Sequence, residues 1–355
     1  PLDIKPATIQ FTDQDGLDIV WAHDGMRSHY SAEWLFSHRY LSSNPTRGGI
    51  DLHPVRTLWD ASLTERIPTF NYSDVMESDN RLLEWIESLA EYGVVITRGV
   101  PTNPRPDLDP IGETSPVRLP FRAACGEVER FANHVAVVRE DLFDSGRADM
   151  KVDPGGYAQA LTPIPLPLHT DVPCFDWPPG VLMLHCLQPA LKGGESVFVD
   201  GFHIARKLRE QDSDAFDLLS TYSVVFKLAS PEAELIARKC MLELDEQGEM
   251  RVFRLSVHEV QPLDFAGDLM ESFYHAYHQL CALVNDPANQ VRCKLGVGDM
   301  WTTHNHRVAH GRTRFINDDL KPRHLQHAYI NFDDMLGRAR VIKRTKEGRG
   351  WPDVY

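Results

Sequence analysis

His169-Thr170-Asp171 and the later run His304-Asn305-His306-Arg307-Val308-Ala309-His310-Gly311 hold the residues best suited to chemistry. Two imidazoles and one carboxylate are the donors of a facial metal triad. Such a triad holds ferrous iron on one side and leaves the other open for dioxygen and a co-substrate. His169 and Asp171 are two positions apart, so in an extended segment both side chains leave the same face. The third donor is less determined, because strand alternation lets His304, His306 or His310 supply it. Gly311 favours His310, since a glycine lets the backbone pass close to a metal. Arg323 favours it as well, standing where a C-terminal strand could aim a guanidinium at a dicarboxylate on the metal. With 16 histidines in the chain, an isolated His-x-Asp is an ordinary structural or surface pair, so the reading rests on the conjunction. His275 and His278 read as partly buried polar groups on a helix. A serine hydrolase would need a Gly-x-Ser-x-Gly elbow, and nucleotide binding a Gly-rich fingerprint; neither occurs.

Composition narrows the classes. The 355 residues allow a sizeable core, with 42% hydrophobic and 25% charged residues. A formal charge of −14 argues against nucleic acid, which needs a basic surface to displace counterions. No apolar run approaches the roughly 18–20 residues of a membrane span. Pro1–Lys5 lacks the layout of a secretory signal. The six cysteines (Cys125, Cys174, Cys186, Cys240, Cys281 and Cys293) form no Cys-x-x-Cys pair. Reduced thiols in a cytoplasmic protein are the expectation.

The elements that must position these residues are mostly short strands. Ala7–Phe11 and Leu17–Trp21 alternate around a turn signal, and with Tyr30–Leu35 they predict a small β-rich module ending softly near residue 70, with residues 71–355 as the main domain. Leu82, Leu83, Ile86, Leu89 and Ala90 form the apolar stripe of a helix that Gly93 ends. Helices are also expected over 121–135 and 264–284, the latter with Met270, Phe273, Tyr277, Leu280, Cys281 and Val284 inward. Val94–Thr97, Gly180–Cys186 and Ser196–Val199 read as strands. Met241–Leu244 and Met250–Leu255 read as a hairpin, and residues 291–332 return to strands. Clustered helices beside many short strands predict a mostly β fold, a jelly roll (double-stranded β-helix) with flanking helices.

Several runs carry a more specific likeness. Leu166-Pro167-Leu168-His169-Thr170-Asp171, Pro178-Pro179-Gly180, Leu184-His185-Cys186, Gly193-Gly194-Glu195-Ser196 and Val199-Asp200-Gly201-Phe202 resemble the γ-butyrobetaine dioxygenase and trimethyllysine dioxygenase family. So do Leu83-Glu84-Trp85-Ile86, Tyr92-Gly93, Gly99-Val100-Pro101, His310-Gly311-Arg312, Arg323-His324-Leu325 and Ala328-Tyr329. The resemblance spans nearly the whole chain. It implies a double-stranded β-helix and an iron(II)- and 2-oxoglutarate-dependent dioxygenase, assayed with ascorbate as reductant. His169, Asp171 and His310 would bind iron. Arg323 would grip the distal carboxylate of 2-oxoglutarate, Leu184 would line its site and Ser196 would contact it. The co-substrate would be decarboxylated to succinate while an unactivated C–H bond is oxidised, hydroxylation being the default. The resemblance also suggests a homodimer.

Two departures bear on function. The family's N-terminal module carries zinc-binding cysteines near its Trp-Leu pair; here no cysteine precedes Cys125, and no structural zinc is expected. The Asn and Tyr that precede His-x-Asp in the butyrobetaine enzymes are replaced by Ala158 and Leu161, and the cage segment Phe143–Asp149 lacks its Trp. Tyr329, Phe143, Tyr157 and Trp177 could rebuild an aromatic cage for a cation, and Arg254 could meet an anionic end. Each of these has the ordinary alternative of core packing or a solvated hairpin. The expected substrate is a small zwitterionic amine or quaternary-ammonium compound, such as γ-butyrobetaine or an analogue. A phosphonate betaine or an amino-acid-like intermediate undergoing desaturation or cyclisation fits the altered pocket too, and a non-catalytic binding protein on the same fold is the reading from another class.

Overall fold

The computed structural model describes residues 4–12, 16–37, 55–103, 126–139, 149–152, 159–229, 233–318 and 320–348. It divides into two compact units, Pro1–Val55 and Arg56–Tyr355. In the first, Pro6–Thr12, Gly16–Trp21 and Arg27–Ser31 form an antiparallel sheet, and Ala32–Ser37 is a short helix. Trp21 Nε1 donates to Ser28 Oγ at 2.9 Å across the sheet.

The second unit is built on two sheets. The larger runs Thr69–Asn71, Val94–Arg98, Met300–His304, Val181–Gln188, His324–Ile330, Asp149–Lys151. Only its first pair is parallel. The smaller runs Val291–Cys293, Ser196–Asp200, Val308–Arg312, Leu166–His169, all antiparallel. From Leu166 onward the chain passes repeatedly between the sheets, which is the jelly-roll path expected from the strand pattern.

Both sheets are covered on both faces. Leu182, Leu184, Cys186, Trp301, Leu325 and Tyr329 of the larger sheet share an inner core with Phe198, Val291 and Val308 of the smaller. On the larger sheet's outer face, Val181, Met183, Met300 and Ile330 pack with Leu82, Trp85, Ile86 and Phe131 of two helices. On the smaller sheet's outer face, Val197, Val199 and Ala309 pack with helical Ile204, Phe216, Phe273 and Leu280. Double coverage explains why Val181–Cys186 is apolar almost without interruption, where a half-exposed strand would alternate. Trp59, Leu63 and Phe70 belong to these cores, so residues 56–70, ahead of the boundary expected near residue 70, pack with the larger unit.

The helix Asp79–Tyr92 carries the expected stripe. Ser78 caps it by accepting from Arg81 N, and Gly93 closes it in the left-handed region at φ 74°. The long helix spans Gly267–Asn285, and the described part of the expected 121–135 helix is Glu127–Val135. Arg307, just before the His310 strand, forms a fully buried bidentate pair with Asp200, Nε to Oδ1 at 3.0 Å and Nη2 to Oδ2 at 2.8 Å. It also donates to the carbonyls of Glu91 and Thr57, so the buried charge is paired and hydrogen-bonded throughout.

Opposite the step from His310 to Arg312 lies the longer step from His169 back to Leu166. The His169 strand therefore carries a β-bulge at Pro167-Leu168. Gly311 faces it closely: a Cβ there would meet Leu166 O at 2.7 Å and Leu168 N at 3.1 Å.

Candidate functional site

His310 and His169 are cross-strand partners, with ring centroids 4.5 Å apart. Asp171 follows the strand end. Its Oδ1 lies 3.2 Å from His169 Nε2 and 3.5 Å from His310 Nε2. One donor atom from each of these three residues falls within 4.8 Å of the others, the single such group among the described residues. The other histidines of the crowded run lie elsewhere. His304 stacks on Phe332 at 3.8 Å, and the His306 ring bonds Pro178 O at 2.9 Å.

Neighbours fix each donor. His169 Nδ1 donates to Pro167 O at 2.8 Å, which leaves the Nε2 lone pair free to coordinate. Asn305 holds the Asp171 peptide: Asp171 N donates to Asn305 Oδ1 at 2.7 Å, and Asn305 Nδ2 donates to Asp171 O at 3.0 Å. Tyr329 OH donates to Asp171 Oδ2 at 2.7 Å, so Oδ1 is the oxygen turned to the imidazoles. Val172, next along, is the one described non-glycine residue with positive φ, at 47°. A β-branched residue there marks local backbone strain of the kind that gathers at functional sites.

The charges are strongly coupled. Burial raises the Asp171 carboxyl, yet His310 and His169 hold it well below the usual carboxylate range. Burial lowers both imidazoles. Asp171 outweighs this for His169, whose pKa is raised, while His310 stays lowered, to about 4. Two neutral or neutralisable nitrogens and one ionised oxygen on one side of a point form a donor set that fits a divalent first-row metal, iron(II) included.

Arg323 is 8% exposed. It lines a recess with Cys186, Ala190, Gly193, Gly194, Ser196 and Leu325. Its guanidinium sits 5.1 Å from the Phe315 ring centroid and is lowered to about 10 by burial. A largely buried cation facing a recess fits an anionic ligand group. Arg312 is engaged differently, donating to the carbonyls of Thr162 and Ile164. Ser196 lines the same recess and accepts from Trp301 Nε1 at 2.9 Å. Leu184 is buried in the inner core.

The residues read as substrate contacts divide. Phe143 and Tyr157 lie outside the described residues. Tyr329 reaches the site, but its hydroxyl serves Asp171. Trp177 is 36% exposed, with the Arg251 guanidinium 5.0 Å from its ring and His306 at its edge. Arg254 is buried, within 2.7 Å of Glu243 and donating to Cys240 O. The structure thus gives Arg254 an internal partner. Asn305 escaped the sequence reading: it stands among the crowded histidines, and nothing local shows that it meets residue 171.

Comparison with known proteins agrees with this geometry. Residues 52–329 match the family described as taurine catabolism dioxygenase TauD, TfdA family. A γ-butyrobetaine dioxygenase from Pseudomonas sp. (strain AK-1) is 30% identical, over 97% of this chain and 83% of that protein. The mitochondrial trimethyllysine dioxygenase of Rattus norvegicus is 25% identical, over 96% of this chain and 75% of that one. A solved asparagine oxygenase in complex with Fe(II), 2S,3S-3-hydroxyasparagine and succinate superposes with a TM-score of 0.52 at 19% identity, over 75% of this chain and 93% of that one. That structure shares the fold.

Proposed function

Because the chain belongs to the taurine catabolism dioxygenase TauD/TfdA family, we propose that it oxidises a C–H bond of a small zwitterionic amine or quaternary-ammonium substrate, with iron(II) as the metal and 2-oxoglutarate as co-substrate. The observation that carries the reading is the convergence of His169, Asp171 and His310 donor atoms within 4.8 Å; the buried Arg323 shares a recess with Ser196, whose partner Trp301 lies 5.3 Å from the His310 ring.

Bound iron(II) with 2-oxoglutarate would supply the oxidising chemistry, consuming dioxygen and releasing succinate and carbon dioxide. The residues do the rest. His169, held in one tautomer by Pro167 O, and His310 present nitrogens. Asp171 presents Oδ1 because Tyr329 holds Oδ2. Arg323 would hold the distal carboxylate of 2-oxoglutarate. Ser196, its oxygen occupied by Trp301, keeps its own O–H free to donate into the recess. Trp301, 5.3 Å from the His310 ring, packs in the inner core with Phe198 and Leu184 and keeps water from that side of His310. Ascorbate as reductant and a homodimeric assembly belong to the same proposal, supported by the resemblance. A cytoplasmic location is supported by the described cysteines, all free thiols.

The test is mass spectrometry of small betaines and amino acids incubated with enzyme, iron(II), ascorbate and 2-oxoglutarate, beside His310→Ala. A modified compound with matching succinate from the wild type alone is expected. Iron bound without succinate would overturn the dioxygenase reading.

A further inference from the structure

The two histidines of the triad are held in different ways. A hydrogen bond to Pro167 O turns the His169 ring. His310 Nδ1 is sealed from solvent and has no hydrogen-bond partner among the described residues, so no bond at that nitrogen turns the His310 ring. Other rings bound it instead: His169 at 4.5 Å, and the Trp301 indole at 5.3 Å with a tilt of 53°. Rings about 4.5–7 Å apart in tilted geometry attract one another beyond simple burial.

Trp301 also reaches the recess that holds Arg323. Its Nε1 donates to Ser196 Oγ at 2.9 Å, and Ser196 lines that recess. The strand register relates these contacts in space. Phe198 pairs with His310, and Ser196 with Arg312. Ser196 and Phe198 are two residues apart, so both side chains leave the same face of their strand. Ser196 therefore stands one strand repeat, about 7 Å, from the level of His310. Trp301 comes from the opposite sheet, on the strand between Val94–Arg98 and Val181–Gln188. It is 2% exposed, and Phe198 braces its ring edge-on at 5.4 Å and 84°. One buried, rigid side chain thus spans from a metal ligand to the wall of the recess.

The two contacts use different parts of the indole. The N–H occupies a lone pair of the Ser196 hydroxyl, which leaves the hydroxyl proton for an acceptor in the recess. A hydroxyl that accepts one hydrogen bond also donates the next more strongly. The ring limits how far the His310 imidazole can turn.

We propose that Trp301 is a positioning residue for both halves of the site: its ring orients His310 toward the metal, and its N–H orients the Ser196 hydroxyl toward 2-oxoglutarate. The inference rests on the dioxygenase reading and adds a residue to the same site.

Calorimetric titration of the full chain, with manganese(II) first and 2-oxoglutarate second, separates the two roles. Trp301→Phe keeps a ring and loses the N–H. Its affinity for 2-oxoglutarate should fall about three- to tenfold, the span of one neutral hydrogen bond, while manganese affinity stays within about twofold of the wild type. Ser196→Ala should weaken 2-oxoglutarate as well, and the double variant no further than Ser196→Ala alone, because the two changes remove one interaction. Trp301→Leu also removes the ring and should weaken manganese binding by about tenfold, as loss of a group that orients a metal ligand does. Additive losses in the double variant, no loss of 2-oxoglutarate affinity in Trp301→Phe or Ser196→Ala, equal losses of both ligands in Trp301→Phe, or unchanged manganese affinity in Trp301→Leu would each overturn the proposal. Far-ultraviolet circular dichroism checks that each variant is folded. Should Trp301→Leu not fold, Trp301→Met replaces it; should neither fold, the cycle of Trp301→Phe and Ser196→Ala decides. A wild type that binds manganese(II) but no 2-oxoglutarate would overturn the dioxygenase reading and the Ser196 half with it, and the manganese titration of Trp301→Leu would still decide the His310 half.

Discussion

Tyr329 is the residue whose role changes most between sequence and structure. As a motif residue it is an aromatic surface for a cation; folded, its hydroxyl anchors the outer oxygen of Asp171. Partners of this kind around metal ligands influence affinity by roughly ten- to a hundredfold. Tyr329→Phe is therefore expected to weaken iron(II) binding by about tenfold in equilibrium dialysis while the ring keeps its packing; unchanged affinity would mean that Asp171 is oriented by Asn305 alone. The grouping of His169, Asp171 and His310 was legible in their types and spacing. Asp171 nevertheless lies past the end of the strand that carries His169 and does not owe its place to strand alternation. The role proposed for Arg323 rests on the resemblance. The roles of Asn305 and the Tyr329 hydroxyl were not legible. Their meaning comes from segments distant in sequence, such as residues 171 and 305, that only the finished fold brings together.

At the scale of elements, the distance between the two histidine strands depends on Gly311. A Cβ at that position would enter the backbone of Leu166–Leu168, and backbone cannot swing aside as a flexible side chain can. Gly311→Ala should part the strands, cost about 1–3 kcal/mol of stability by overpacking, and lower metal affinity by more than the stability loss predicts. Urea unfolding paired with a metal titration checks this. Stability lost with affinity intact would show that the imidazole spacing is set elsewhere. The strands themselves were readable: Val181–Cys186 is an apolar run because helices cover the larger sheet's outer face and the inner core lies behind it. Which strand pairs with which was not, since an apolar run fully buried on both sides carries no mark of its neighbour.

At the scale of the molecule, clustered helices and abundant short strands sufficed to predict a jelly roll, and the two covered sheets bear that out. A site assembled from residues on both sheets couples ligand binding to folding. Manganese(II) with 2-oxoglutarate at a hundred times their dissociation constants should stabilise the fold by about 2.7 kcal/mol per independent ligand. Chelation should reverse this, seen as a fall in the unfolding temperature. His310→Ala should lose the metal-dependent part, whereas an equal shift in that variant would place the metal away from the triad.

The bulge at Pro167-Leu168 has a consequence for how such a chain can change over generations. Downstream of it, His169 keeps step with His310; upstream, Leu166 keeps step with Arg312, which also holds the carbonyls of Thr162 and Ile164. The spare residue works as a slip joint, because a strand without one transmits any shift of register along its whole length. Residues ahead of Leu166 can thus lengthen, shorten or be replaced without turning His169 from its partner. Inherited chemistry and newly acquired selectivity can then reside a few residues apart in one strand and diverge at different rates.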